Sequence, residues 1–192
     1  MARKAGLTTG DVVGTAAALA DREGLDAVTL SRVAAELGVR SPSLYAHVDG
    51  LPGLRRLLAL RAAGLIEHAL GAAVAGRRGP DALRRAAYAF REVIHAHPGL
   101  YAATLPAPGP DDDPELYAAM AAAAGPVVQA CGAAGLDGPA AVHATRALRA
   151  AVHGFAVLER GGGFGRPLDV DRSFETLVDT LVAGLTASLT GP

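Results

Sequence analysis

The chain has 192 residues, enough to bury a core as one domain or as a small domain joined to a medium one. Its hydrophobic share of 51% and aromatic share of 4%, with alanine, leucine and arginine dominant, favour helix nearly throughout and predict an all-α protein. A formal net charge of −1 argues mildly against a nucleic-acid partner, and the single cysteine, Cys131, excludes an internal disulfide.

Thr8 with Asp11 three residues on forms a helix-starting cap, after which Val12, Ala16, Leu19 and Ala20 fall on one face and Gly24 ends the element. A second helix starts after Thr29 as N-cap, with Leu30, Val33, Ala34 and Leu37 inward and Gly38 at the position that favours a left-handed residue. Ser41-Pro42 starts a third short helix, because proline at the first helical position wastes no amide hydrogen. Its Leu44 and Val48 point inward, its outer side is polar and small, and Asp49-Gly50 closes it.

From Leu51 a long helix is expected to about Ala75, then a break at Gly76 to Pro80, a helix from Asp81 to His97 stopped by Pro98-Gly99, and a loop from Pro106 to Pro114. Residues 116 to 136 carry no charge, but their alanine content, Gly125-Pro126, Gly132, Gly135 and Gln129 make a membrane span too weakly hydrophobic, so a buried pair of short helices is expected. No stretch has the order of a signal peptide, and the expectation is a cytoplasmic protein with no membrane partner. A helix from about Gly138 to Arg160 carries Ala144, Leu148, Ala151, Phe155 and Leu158 in a coiled-coil-like seam. The last helix, about Asp171 to Leu189, has an apolar face wide enough to be covered on two sides.

Two short helices joined by Gly38-Val39-Arg40 match a helix-turn-helix, whose second helix enters a major groove about 12 Å wide. An αα-hairpin with a polar solvent face fits the same spacing. The run TLSRVAAELGVRSPSLYAHVDGLPGL from Thr29 to Leu54 resembles the DNA-binding segment of the TetR family of repressors, with Leu44-Tyr45-Ala46-His47 on the recognition helix. The resemblance covers about residues 5 to 58 and implies that Thr29, Tyr45 and His47 touch phosphates while Arg40, Ser41, Pro42 and Ser43 lie nearest the bases. Leu51 stands where the family usually has a phosphate-binding lysine; Arg55 or Arg56 one turn on, and Arg3 and Lys4 in the N-terminal arm, are candidate substitutes.

The segments AVHGFAVLERGGGFG and DVDRSFETLVDTLVAGL resemble the C-terminal domain of a TetR subgroup named for a tryptophan-histidine-glycine motif, with Val152 in place of the tryptophan. His153, Gly154, Phe155, Leu158, Glu159, Gly162 to Gly165 and Phe174 match, and HPGLYA from His97 to Ala102 adds support. The resemblance implies a homodimer pairing its last two helices as a four-helix bundle, with Leu148, Val152, Phe155, Leu158, Phe174, Leu177 and Leu181 at the interface. Two recognition helices about 34 Å apart would then read a palindromic operator on double-stranded DNA. A small hydrophobic effector is expected among Tyr88, Phe90, Tyr101, Tyr117, Met120 and Gln129, acting through the connecting helix. The division expected is residues 1–50 for DNA binding and 51–192 for sensing and dimerisation.

No metal and no other cofactor is expected: His95 and His97 diverge on a helix, and His143 and His153 bring no cysteine or carboxylate cluster. Nor is an enzyme, since Cys131 has no activating neighbour and Gly161 to Gly165 follows a helix where a phosphate loop would follow a strand. The competing reading is a helical dimeric small-molecule-binding protein whose N-terminal hairpin is vestigial or contacts protein.

Overall fold

The computed structural model describes residues 6–187, which contain α- and 3₁₀-helices and no strand. The α-helices are α1 (Thr9–Glu23), α2 (Leu30–Leu37), α3 (Gly50–Val74), α4 (Gly79–Ala96), α5 (Pro98–Ala102), α6 (Pro114–Ala133), α7 (Pro139–Arg160) and α8 (Val170–Ala187). They divide into two compact units, one drawn from residues up to Ala63 together with Ala96–Met120, the other from Gly64–His95 and from Ala121 onward.

In the first unit the caps read from sequence are in place. Thr8 Oγ1 accepts from the Asp11 amide at 3.1 Å while the Asp11 carboxylate accepts from the Thr8 amide at 2.9 Å, so two otherwise orphaned groups satisfy each other. Val12, Ala16, Leu19 and Ala20 of α1, Val33 of α2, and Leu54 and Leu58 of α3 are buried and form the core of this unit. Pro98-Gly99 follows the end of α4 at Ala96, as expected of a stop, and also opens the five-residue α5. The short helix packs against α1 so closely that a Cβ on Gly99 would lie 1.9 Å from the Ala20 carbonyl oxygen, which is why only glycine serves there.

In the second unit α4 buries Leu83, Phe90, Val93 and Ile94, α7 buries Leu148, Val152 and Ala156, and α8 buries Phe174, Val178 and Val182. Fully burying a side chain such as Phe174 contributes roughly 1.5–3 kcal/mol. One expectation is corrected. Residues 114–133 form one helix through Pro126, not a pair: proline removes one backbone hydrogen bond, but Ala123 and Val127 on either side are buried and hold the helix together. On α7 the side chains buried within the chain are Ala141, Ala144, Leu148, Val152 and Ala156, whereas Leu158 of the expected seam is 52% exposed in the single chain. Helices α3 and α6 are long and apolar enough, by length and composition, to cross a membrane. The end of the last helix, Ser188 and Leu189, lies outside the described residues, as do Arg3 and Lys4.

Candidate nucleic-acid interface

Thr29 caps α2, its Oγ1 accepting from the Arg32 amide at 3.2 Å, and Gly38 ends it at φ 67°, ψ 29°. The Val39 amide donates to the Ala34 carbonyl at 3.0 Å, reversing the chain within one residue of the helix end. The next element, Ser41–Ala46, is a 3₁₀-helix and not an α-helix. Six residues with proline near the start close on i→i+3 bonds, Ser43 amide to Arg40 carbonyl and His47 amide to Leu44 carbonyl, both 2.9 Å.

This recognition turn is fixed from inside and open outside. Leu44 has no exposed surface and Val48 is 5% exposed, so one face is pinned to the core. On the other face Tyr45 is 64% exposed. Arg40, Pro42, Ser43 and Ala46 are exposed, and Thr29, Ser41 and His47 half-buried. Arg22 reaches Glu36 at 2.7 Å and Arg32 reaches Glu23 at 2.8 Å, bracing α1 against α2. Hydrogen bonds from Arg32 hold the Glu23 carboxyl below its usual range.

The two arginines after Leu51 differ. Arg56 is clamped by Asp113 at 2.5 and 2.8 Å and by Glu115 at 2.6 Å, and its hydrogen bonds hold the Asp113 carboxyl below its usual range. Its Nε and Nη2 are therefore committed to two carboxylates. Arg55 lies 3.7 Å from a fully exposed Asp26 and keeps its guanidinium half open. The clamp on Arg56 spans 57 positions, beyond any local sequence signal. A second contact of the same kind joins α1 to the α4–α5 junction: His97 Nδ1 and the Leu100 amide both meet the Asp21 carboxylate, at 2.9 and 2.8 Å.

In the second unit Arg91 sits in an acidic and aromatic nest. It pairs with Glu159 through two hydrogen bonds and with Asp171 at 2.8 Å, and its guanidinium lies 4.6 Å from the Phe174 ring centre. Tyr88 meets Phe174 edge-on at 5.1 Å. Arg91 and then His95 hold Glu159 ionised below its usual range, with burial opposing them. His95 and His97 thus turn to different carboxylates, Glu159 and Asp21. Burial pushes the Cys131 thiol up.

The expected ligand contacts come from both units. Tyr88, Phe90 and Gln129 belong to the second unit and Tyr101, Tyr117 and Met120 to the first. Tyr88 lines a cavity of about 350 Å³ with Arg91, Glu92, His95, Glu159 and Asp171, whereas Gln129 lines a different one of about 480 Å³. Phe90 and Tyr101 are each 4% exposed, Tyr117 is 46% exposed and Met120 half-buried. Of the expected interface residues, Leu148, Val152 and Phe174 are at most 3% exposed within the single chain and have no surface left for a partner to cover. Phe155, Leu177 and Leu181 are half-exposed and Leu158 is open.

Comparison with known proteins matches residues 12–47 to the family model described as bacterial regulatory proteins, tetR family, and residues 83–181 to one described as tetracyclin repressor-like, C-terminal domain. An uncharacterized HTH-type transcriptional regulator of Mycobacterium tuberculosis is 40% identical over 96% of this chain and 84% of its own length. Another, from Bacillus subtilis, is 31% identical over 96% of both. Among solved structures, a protein of unknown function from Rhodococcus sp. RHA1 superposes with a TM-score of 0.80 at 23% identity, covering 97% of this chain and 99% of that one. The TetR-family protein ActR of Streptomyces coelicolor, solved in complex with (S)-DNPA, gives 0.72 at 24% identity over 96% and 99%. These structural likenesses show the fold.

Proposed function

The chain belongs to the TetR family of bacterial regulatory proteins, and from that membership we propose that it is a ligand-responsive DNA-binding transcriptional regulator. In this reading it is a cytoplasmic homodimeric repressor that leaves a palindromic operator when a small hydrophobic effector binds.

The observation that carries the reading is the recognition turn, where Leu44 is sealed in the core while its neighbour Tyr45 is largely exposed. A six-residue element too short to be stable alone is held rigid by its inner face, and its outer face offers side chains and nothing that packs. Arg40, Ser41, Pro42 and Ser43 lie nearest the bases in this reading, and Thr29, Tyr45 and His47 meet phosphates. Arg55 takes the phosphate that Leu51 cannot hold.

A palindrome requires two heads, hence a dimer. The surface that fits this is the outer side of α7 and α8, where Val142 is 40% and Val157 49% exposed and Leu177 and Leu181 form a half-exposed ridge. Salt-dependent binding of the purified protein to duplex DNA tests the reading. Reversal of that binding by an effector tests its ligand-responsive half.

A further inference from the structure

The cavity of about 480 Å³ in the second unit lies between the end of α3 and the second half of α6, and its size falls within the roughly 300–1,000 Å³ of small-molecule sites. The two helices touch at Gly71, where the Pro126 ring stands 3.9 Å from the point at which a side chain would begin. Val74 of α3 and Pro126, Ala130 and Ala133 of α6 line the cavity. Apart from its polar side chains the lining is small or apolar: Gly71, Val74, Ala75, Gly76, Pro126, Ala130 and Ala133.

The lining also carries polar side chains. Arg77, Arg78 and Gln129 belong to it, and none of the described residues lining the cavity is acidic. Arg77 is already committed: its Nη1 donates to the carbonyls of Ala73 and Ala75 at 3.2 and 3.4 Å, and its Nε lies 3.4 Å from Asp81. It covers the carbonyl end of α3. Arg78 is exposed and makes no hydrogen bond or ion pair among the described residues. A free guanidinium fork beside an apolar wall is matched by a carboxylate carried on an apolar body, since the fork donates two parallel hydrogen bonds to the two oxygens.

The cavity beside Tyr88 selects against such a ligand. Glu92, Glu159 and Asp171 line it, and its one arginine, Arg91, is already paired with two of them. These two cavities therefore differ in the charge of their lining.

We infer that the cavity between α3 and α6 binds the effector and that the effector is an amphiphilic carboxylate, its head on Arg78 and Gln129 and its body along Val74, Ala130 and Ala133. The inference rests on the reading of this unit as the sensing half of the regulator, and it names the chemical class sensed.

Calorimetric titration of the full-length protein with dodecanoate, with 1-naphthoate, and with dodecanol as the uncharged control tests it. Saturable binding of at least one of the two carboxylates is expected, weakened by about tenfold or more in Arg78→Glu, where a charge-assisted pair becomes a repulsion. Dodecanol binds more weakly than dodecanoate. Ala133→Trp, at an exposed position on the cavity wall, removes binding while the melting temperature stays at the wild-type value. Unchanged carboxylate affinity in both variants, equal affinity for the alcohol, or no binding of either carboxylate by the wild type overturns the inference. Duplex binding measured on the same preparations separates the two readings. DNA binding without Arg78-dependent carboxylate binding removes this inference alone, and carboxylate binding through Arg78 in a protein that binds no duplex keeps it and removes the repressor reading.

Discussion

Asp21, near the end of α1, meets His97, the residue that caps α5, at 2.9 Å, and the same carboxylate accepts the Leu100 amide at 2.8 Å. One side chain thereby fixes a five-residue helix that has too few internal bonds to hold itself. Asp21→Ala strands a part-buried amide and an imidazole, and is expected to cost about 1–3 kcal/mol in chemical denaturation. Gly99→Ala, which puts a Cβ into the Ala20 carbonyl, is expected to cost at least as much, about 1–3 kcal/mol or more, through overpacking. Equal stability of both variants and wild type would show that α5 does not depend on this docking.

The Arg91–Glu159 pair makes stability depend on acid. Glu159 has its carboxyl held below the ordinary value of 4.5 in the folded chain, chiefly by Arg91. A depressed folded value means that its stabilisation is complete above about pH 4.5 and is lost as pH falls toward and through the folded value. Glu159→Gln leaves Arg91, whose side chain is 14% exposed, with only Asp171, and is expected to cost of order 2–3 kcal/mol at neutral pH. The difference from wild type shrinks below pH 4, as read by thermal melts across a pH series. A difference independent of pH would place the cost in packing and not in charge.

Much of the helix framework was legible because its signals are local. Thr8 with Asp11, Thr29, and Gly38 mark helix ends through groups within three residues of each other, and all three act as read. The features that were not legible depend on distant partners. Gly99 after Pro98 reads as a terminator, and only the Ala20 carbonyl against it explains the glycine. Pro126 reads as a break, and the buried Ala123 and Val127 that carry the helix past it are known only after folding. Periodicity on α7 identified an apolar face but could not say what covers it: Ala144 and Leu148 are covered within their own chain, and Leu158 is not. The outward side chains of the recognition turn were identifiable from the alternation about Leu44, whereas the commitment of Arg56 to Asp113 was not.

Arg55 and Arg56 are adjacent in sequence and are expected to behave differently on DNA. Arg55→Ala flattens the slope of log K against log salt by about 0.9, the loss of one phosphate contact, and Arg56→Ala leaves the slope unchanged because its charge is already paired with Asp113 and Glu115. Asp113→Asn with Glu115→Gln releases Arg56 and is expected to steepen the slope. Salt titrations of the variants on one duplex check this.

Leu44 and Tyr45 separate folding from binding. Leu44→Ala removes a fully buried side chain and is expected to cost about 2–5 kcal/mol of stability. Tyr45→Ala, at 64% exposure, is expected to change stability by less than about 0.5 kcal/mol while weakening duplex binding. Weak binding together with a matching loss of stability in Tyr45→Ala would make the tyrosine structural.

The most direct test is fluorescence anisotropy of the full-length protein on a labelled duplex taken from immediately upstream of its own coding region, titrated from low to moderate salt, with Arg40→Ala beside it. A regulator of this build is expected to bind tightly, to weaken steeply with salt, and to lose that binding in Arg40→Ala while keeping its melting temperature. A folded dimer that binds neither this duplex nor a pool of genomic fragments would contradict the account and leave a helical ligand-binding protein whose N-terminal hairpin reads no DNA.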